Sequence, residues 1–202
     1  MFDYVACCVL SKCLWYYCWM CKFSMILLFS VLVGAQGRAA DEFDAIKCDA
    51  DVPKAMVGKH SSNERVAVIE ARHSNLGLKD LGGTEISDRL FLISWRICGS
   101  EYAVLLNNKK ELVQDVLPVP AHSLHSPQSF AEQCQVAGKE TSDAVIAILD
   151  NSQAQKPKGY FEKVMLPAKI AWKIDERQER FVRMPTQGLS CAVTGSSEDF
   201  KQ

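Results

Sequence analysis

The chain has no Asn-x-Ser/Thr acceptor, no Gly-x-Ser-x-Gly elbow and no block of like charge, and it has only four histidines. Each lack removes something. Without the elbow there is no sign of the strained turn that presents a serine nucleophile in α/β-hydrolases. Gly82-Gly83, in DLGGTE, lacks the further glycines and the lysine of a phosphate loop or dinucleotide fingerprint, and reads as a turn. Basic and acidic residues number 23 and 24, which leaves no electrostatic footprint for nucleic acid. The missing glycosylation acceptor suits a bacterial protein.

Cysteine is abundant and unevenly placed. Five of the nine lie in CCVLSKCLWYYCWMCK, residues 7 to 22. Cys18-Trp-Met-Cys21 is formally a CxxC, but no βαβ pattern follows to make it a redox motif. No second ligand pair at matched spacing makes it a zinc site. After Lys22 come an apolar run, Met25 to Val33, the small-residue stretch GAQGRAA, and an abrupt polar start, DEFDAIKCDAD. This is the layout of a secretory signal peptide. Residues 1–40 are expected to be a leader, cut after Ala35, Ala39 or Ala40, with Ala40 least suited because Arg38 then sits at −3. No cysteine follows the small residues, so lipidation is not expected. The cysteine-rich prefix fits a signal peptide badly, and a start at Met20 or Met25 is expected, with residues 1–19 a mis-assigned start. A retained anchor is the alternative, because Val5 to Val33 is long enough to span a bilayer.

Residues 41–202 then carry 20 basic and 23 acidic residues, enough chain for one domain with a real core. The expected address is periplasmic or secreted, with membrane contact only during export. Cys48, Cys98, Cys134 and Cys191 remain, and an even number of scattered cysteines in an exported chain predicts two structural disulfides. Three pairings are open.

Period-two alternation of apolar residues recurs along the body, the signature of strands. VAVIEA (66–71) is the first such run. LFLISWRIC (90–98), YAVLLN (102–107) and ELVQDVL (111–117) follow as an antiparallel meander. Prolines at 118, 120 and 127 predict a loop over 118–129. A run around Cys134, then AVIAILD (144–150), AKIAWKID (168–175) and ERFVRMP (179–185) complete the set, with NSQAQKPKGY as a second loop. ISWRIC and IAWKID share an Ile-x-Trp-basic-Ile core, which needs no explanation beyond Trp flanked by Ile making good strand core. Short helices have room in SSNERVAVIEARHSN and around GGTEISDRLF, with Thr84 and Ser87 as caps. The fold expected is mainly β, a small antiparallel barrel or sandwich with meander hairpins and room for one or two short helices. Its domain spans 41–190, followed by a polar tail over 191–202.

His122 and His125, in a proline-framed loop, are the first candidate binding residues, because loops on a rigid scaffold carry function more often than strands. A metal would need a third ligand besides that pair, with His60 and His73 far back in sequence. No metal or cofactor is expected. Ser123 and Ser126 are adjacent to these histidines only along the chain, which is not triad geometry. Asp49 and Asp51, beside a proline, read as a turn or exposed loop. The function expected is that of a non-catalytic binding or inhibitor-like module for a macromolecular or small-molecule ligand. An exported hydrolase with a site assembled from distant residues is the alternative.

Overall fold

The computed structural model describes residues 40–122, 128–153 and 163–194. The leader, its cysteine cluster, His125, Ser123 and Ser126, most of the second loop and the end of the tail lie outside these residues. The chain is mainly β, with two antiparallel sheets that form a sandwich and do not close into a barrel.

Two short helices come first. Asp51 accepts from the Lys54 amide at 3.2 Å and caps α1 (Val52–Met56), whose first turn tolerates Pro53. The Asp-Val-Pro segment is thus a helix start rather than a loop. VAVIEA is helical too, in α2 (Val66–Arg72), which bears out the short helix with room in SSNERVAVIEARHSN and corrects the strand also read there. Six residues of alternation are too few to separate the two periods. Here only Ile69 is buried while Val66 and Val68 stay 40% exposed.

The first sheet runs in order β1 (Lys79–Glu85), β2 (Leu90–Ile97), β3 (Ser100–Asn107), β4 (Leu112–Val119), the expected meander with one more strand at its front. The helix considered around GGTEISDRLF is therefore β1 and its turn. Its two glycines are poor helix formers. At Gly83 a Cβ would lie 2.6 Å from the Leu92 carbonyl oxygen, so only glycine lets β1 approach β2. The β2–β3 turn has two residues, Cys98 and Gly99, both with positive φ, as a twist-matched hairpin demands. Pro118 lies inside β4, opposite Tyr102, rather than in the loop expected from 118. It sits at a non-hydrogen-bonded position of an edge strand, where the missing N–H costs no ladder bond.

The second sheet has order β5 (Gln128–Ala131), β8 (Val145–Asp150), β9 (Lys163–Asp175), β11 (Leu189–Thr194), β6 (Cys134–Val136), β7 (Lys139–Glu140), with β10 (Arg180–Met184) also paired to β9. β11 takes in residues 191–194, assigned to the tail on sequence.

Burial sorts these elements into layers. Odd-numbered positions of β2, Trp95 and Ile97 among them, pack under the N-terminal segment against Phe43, Met56 and Ile69. Even-numbered positions, Leu90 and Leu92, face the second sheet at Ile174 and Ile146. Both faces of β2 are thus buried over most of its length. The open pairing of the cysteines resolves as Cys48–Cys98 and Cys134–Cys191. One bridge ties the helical layer to the β2–β3 turn, and the other joins directly opposed residues of β6 and β11. Loops closed across 50 and 57 residues correspond to about 4 kcal/mol each in the chain-entropy model.

Candidate functional site

The inner face of the first sheet changes character along its length. Leu90, Leu92, Ala103 and Leu105 meet the second sheet. Further along β2 the same face carries Ser94 and then Arg96, opposite Ala103 and Glu101 of β3. Over these polar positions lies a cleft of about 460 Å³, lined by Gly82, Ser94, Glu101, Val119, His122 and Glu132 among others. Its volume falls within the range of small-molecule sites. A second cavity of about 290 Å³ continues past Thr84, Glu85 and Asp143 and shares Glu132 with the first.

Glu101 is the hub of the cleft. Its Oε1 accepts from Arg96 Nη2 at 2.6 Å, and its Oε2 lies 3.2 Å from His122 Nε2. The other imidazole nitrogen, Nδ1, lies 3.0 Å from the Pro120 carbonyl oxygen, which can only accept, so Nδ1 carries a hydrogen. Both ring nitrogens are engaged, Nδ1 by the Pro120 carbonyl and Nε2 beside the Glu101 carboxylate. A serine–imidazole–carboxylate relay would need one of them. The arrangement fixes an imidazole edge and a charged hydrogen-bonding row at the mouth of a concave surface.

Glu132 occupies the opposite side. The residue keeps solvent contact, yet protein crowding around its carboxyl pushes that group's pKa upward. The cleft therefore holds two carboxyls in different settings, one gripped by a guanidinium and an imidazole and one exposed with its pKa pushed upward.

Of the two histidines singled out on sequence, the structure places His122 in this cleft, while His125 lies outside the described residues. The four candidate disulfide cysteines take no part in the row. Sequence reasoning missed Glu101, Arg96 and Glu132. The signal available was the break in apolar patterning within LFLISWRIC, where Ser94 and Arg96 stand on the face that Leu90 and Leu92 bury.

A second cluster sits under the helical layer. Asp41, Asp44 and His73 bring one ligand atom each within 4.8 Å of one another. Asp41 Oδ1 accepts from the amides of Phe43 and Asp44, and Oδ2 accepts from Arg72 Nη1 at 2.9 Å and lies 3.1 Å from His73 Nε2. Burial alone would raise this carboxyl, but the bonds from His73, Phe43 and Arg72 outweigh it and hold its pKa below the usual range. With both oxygens so occupied the trio serves as a latch for the N-terminal segment, and it leaves a cation no free lone pairs on Asp41. His60 is remote from it in role, forming a bridge with Leu112.

No protein-family model, curated protein or solved structure matches this chain. No helix among the described residues is long and apolar enough to cross a membrane.

Proposed function

We propose that the protein is an extracytoplasmic, periplasmic or secreted binding module without catalysis, and that its ligand sits in the cleft between β1, β4 and Glu132. One observation carries the reading. The sheet face that should be sandwich interior turns polar at Ser94, Arg96 and Glu101 and is left uncovered as a cavity. An ordered charged row on a sheet face beside a cavity is better explained by a partner that completes it than by packing. The engagement of both His122 nitrogens supports binding over nucleophilic catalysis, and two disulfides fit an oxidising compartment.

Glycan and peptide arrays probed with the wild type and with Glu101→Gln and His122→Ala test the proposal. A ligand whose binding falls at least about tenfold in both variants is expected, the loss of one charged hydrogen bond being worth about 1.5–3 kcal/mol. Ligands indifferent to both substitutions would move the site elsewhere. The alternative, a hydrolase, draws on the contrast between Glu101 and Glu132, since carboxyls held in unlike environments can divide acid and base roles. Turnover of an ester, peptide or glycan substrate by the wild type, abolished by Glu132→Gln, would favour it.

A further inference from the structure

β1 is the outer strand of the first sheet, and its two halves differ. In the first half, the Asp80 amide donates to Glu70 Oε1 at 2.9 Å, the Gly82 amide donates to Asp80 Oδ1, and the register slips between Asp80 and Gly82. A bulge and side-chain caps of this kind blunt an edge against pairing. Among the described residues the second half carries no such device. The two-residue β2–β3 turn makes Ile97 and Ser100 a hydrogen-bonded pair, so odd positions of β2 bond to β3 and even positions bond to β1. The Ile86 amide, donating to the Leu90 carbonyl at 3.0 Å, continues that phase. Thr84 accordingly faces β2, while Gly83 and Glu85 turn their N–H and C=O groups to an edge that no described strand pairs. Gly83 borders the larger cavity and Glu85 the smaller.

From this juxtaposition we infer that a partner's extended peptide segment adds to β1 along Gly83–Glu85 and sends a basic side chain into the cleft. The inference rests on the binding reading above and names its partner class. Main-chain bonds would supply affinity and the adjoining cavity specificity, the division of labour in strand addition. Gly82 has no side chain to block the entry, and a Cβ there would meet nothing within 4 Å. The carboxyls along the two cavities choose the sign of the incoming charge. Glu85, Glu132 and Asp143 line them, while Arg96 is paired with Glu101 and Lys173 with Asp143. A lysine or arginine entering beside Glu132 would meet a carboxyl crowded by protein, and a glutamate would meet like charge.

The test uses a blocked hexapeptide alternating valine and lysine, the same peptide with glutamate for lysine, and the lysine peptide N-methylated on alternate amides. Amide-resolved NMR titration of the full protein is expected to show shifts at Gly82–Glu85 with the lysine peptide. N-methylation should weaken binding at least tenfold, and the glutamate peptide should not bind. Glu85→Pro, which removes one outward N–H at an edge position where proline is tolerated, should weaken it likewise. Glu85→Lys, which keeps the N–H, should weaken it through charge alone. Equal binding of the methylated peptide, a preference for glutamate, or no shifts at β1 up to millimolar peptide would each overturn the inference. A ligand that depends on Glu101 and His122 but binds Glu85→Pro undiminished would leave the cleft reading standing and sink this one.

Discussion

Asn107 Nδ2 donates to Glu179 Oε1 at 2.8 Å, joining a turn of the first sheet to a turn of the second with both residues buried. The two turns are built alike. Asn107 Oδ1 accepts from the amides of Lys109 and Lys110, Asp175 Oδ1 accepts from those of Arg177 and Gln178, and a glutamate with positive φ, Glu111 or Glu179, closes each. Lys110 Nζ completes the grip on Glu179 at 3.1 Å.

Asn107→Ala removes a turn cap and strips a buried carboxylate of a donor at once. A loss of about 2–3 kcal/mol is expected from the unsatisfied group, read as a fall in urea midpoint at unchanged slope. In Glu179→Gln the amide oxygen still accepts from Asn107, and the loss should be smaller.

Acid should act on the N-terminal latch in two steps of opposite sign. Burial raises the Glu42 pKa, so as pH falls through that raised value toward the usual glutamate value of about 4.3 this residue contributes stability. Asp41 is held low. Its contribution is complete above the usual aspartate value of about 3.9 and is lost as pH falls through the lower folded value. Denaturation midpoints of Asp41→Asn and the wild type should differ at pH 7 and converge toward pH 2, while Glu42→Gln should flatten the shoulder above pH 4.

The two bridges should separate on reduction by region. Cys48→Ala with Cys98→Ala frees the helical layer, so amide protection over 41–78 is expected to collapse while that of β8 persists. Cys134→Ala with Cys191→Ala opens the core of the second sheet, where Leu149, Leu166 and Leu189 surround the pair, and should cost about 2–5 kcal/mol globally. Hydrogen exchange read by mass spectrometry distinguishes the two patterns.

Gly83→Ala forces a Cβ to within 2.6 Å of the Leu92 carbonyl and 2.8 Å of the Phe91 ring. Backbone cannot yield as a flexible side chain can, and a loss of about 1–3 kcal/mol is expected from the overpacking. Gly82→Ala meets open space but carries φ +103°, a region with a strain cost of about 1–3 kcal/mol. Thermal melts of both variants check the pair.

The strands were legible where alternation was long and chemically consistent. LFLISWRIC, YAVLLN and ELVQDVL lie in β2, β3 and β4, strands of eight residues each that short turns pair in succession as a meander. VAVIEA was ambiguous because a short apolar run fits both periods, and of the two readings the helix is the one that formed. GGTE failed the other way: the fit of Gly83 under Leu92 is a tertiary fact with no local mark. Of the cleft, His122 was visible as an unusual loop residue. Glu101 was hidden in a strand, and Glu132 is brought to the cleft by the return of the chain after β5. Disulfide pairing depends on which turns meet, which spacing alone does not encode.

The two coverings of the first sheet have different birthdays. A chain emerging from the ribosome completes the helical layer and β1–β4 by Val119, so Cys48 and Cys98 can already meet. The opposite face, with Leu90, Leu92 and Leu105, must wait for Ile146 and Ile174 to be synthesised. During that interval a finished sheet is half dressed, and its bare side is the adhesive one. Both partners of the Cys48–Cys98 pair precede the second sheet along the chain, whereas Cys134 meets Cys191 only through the last strand.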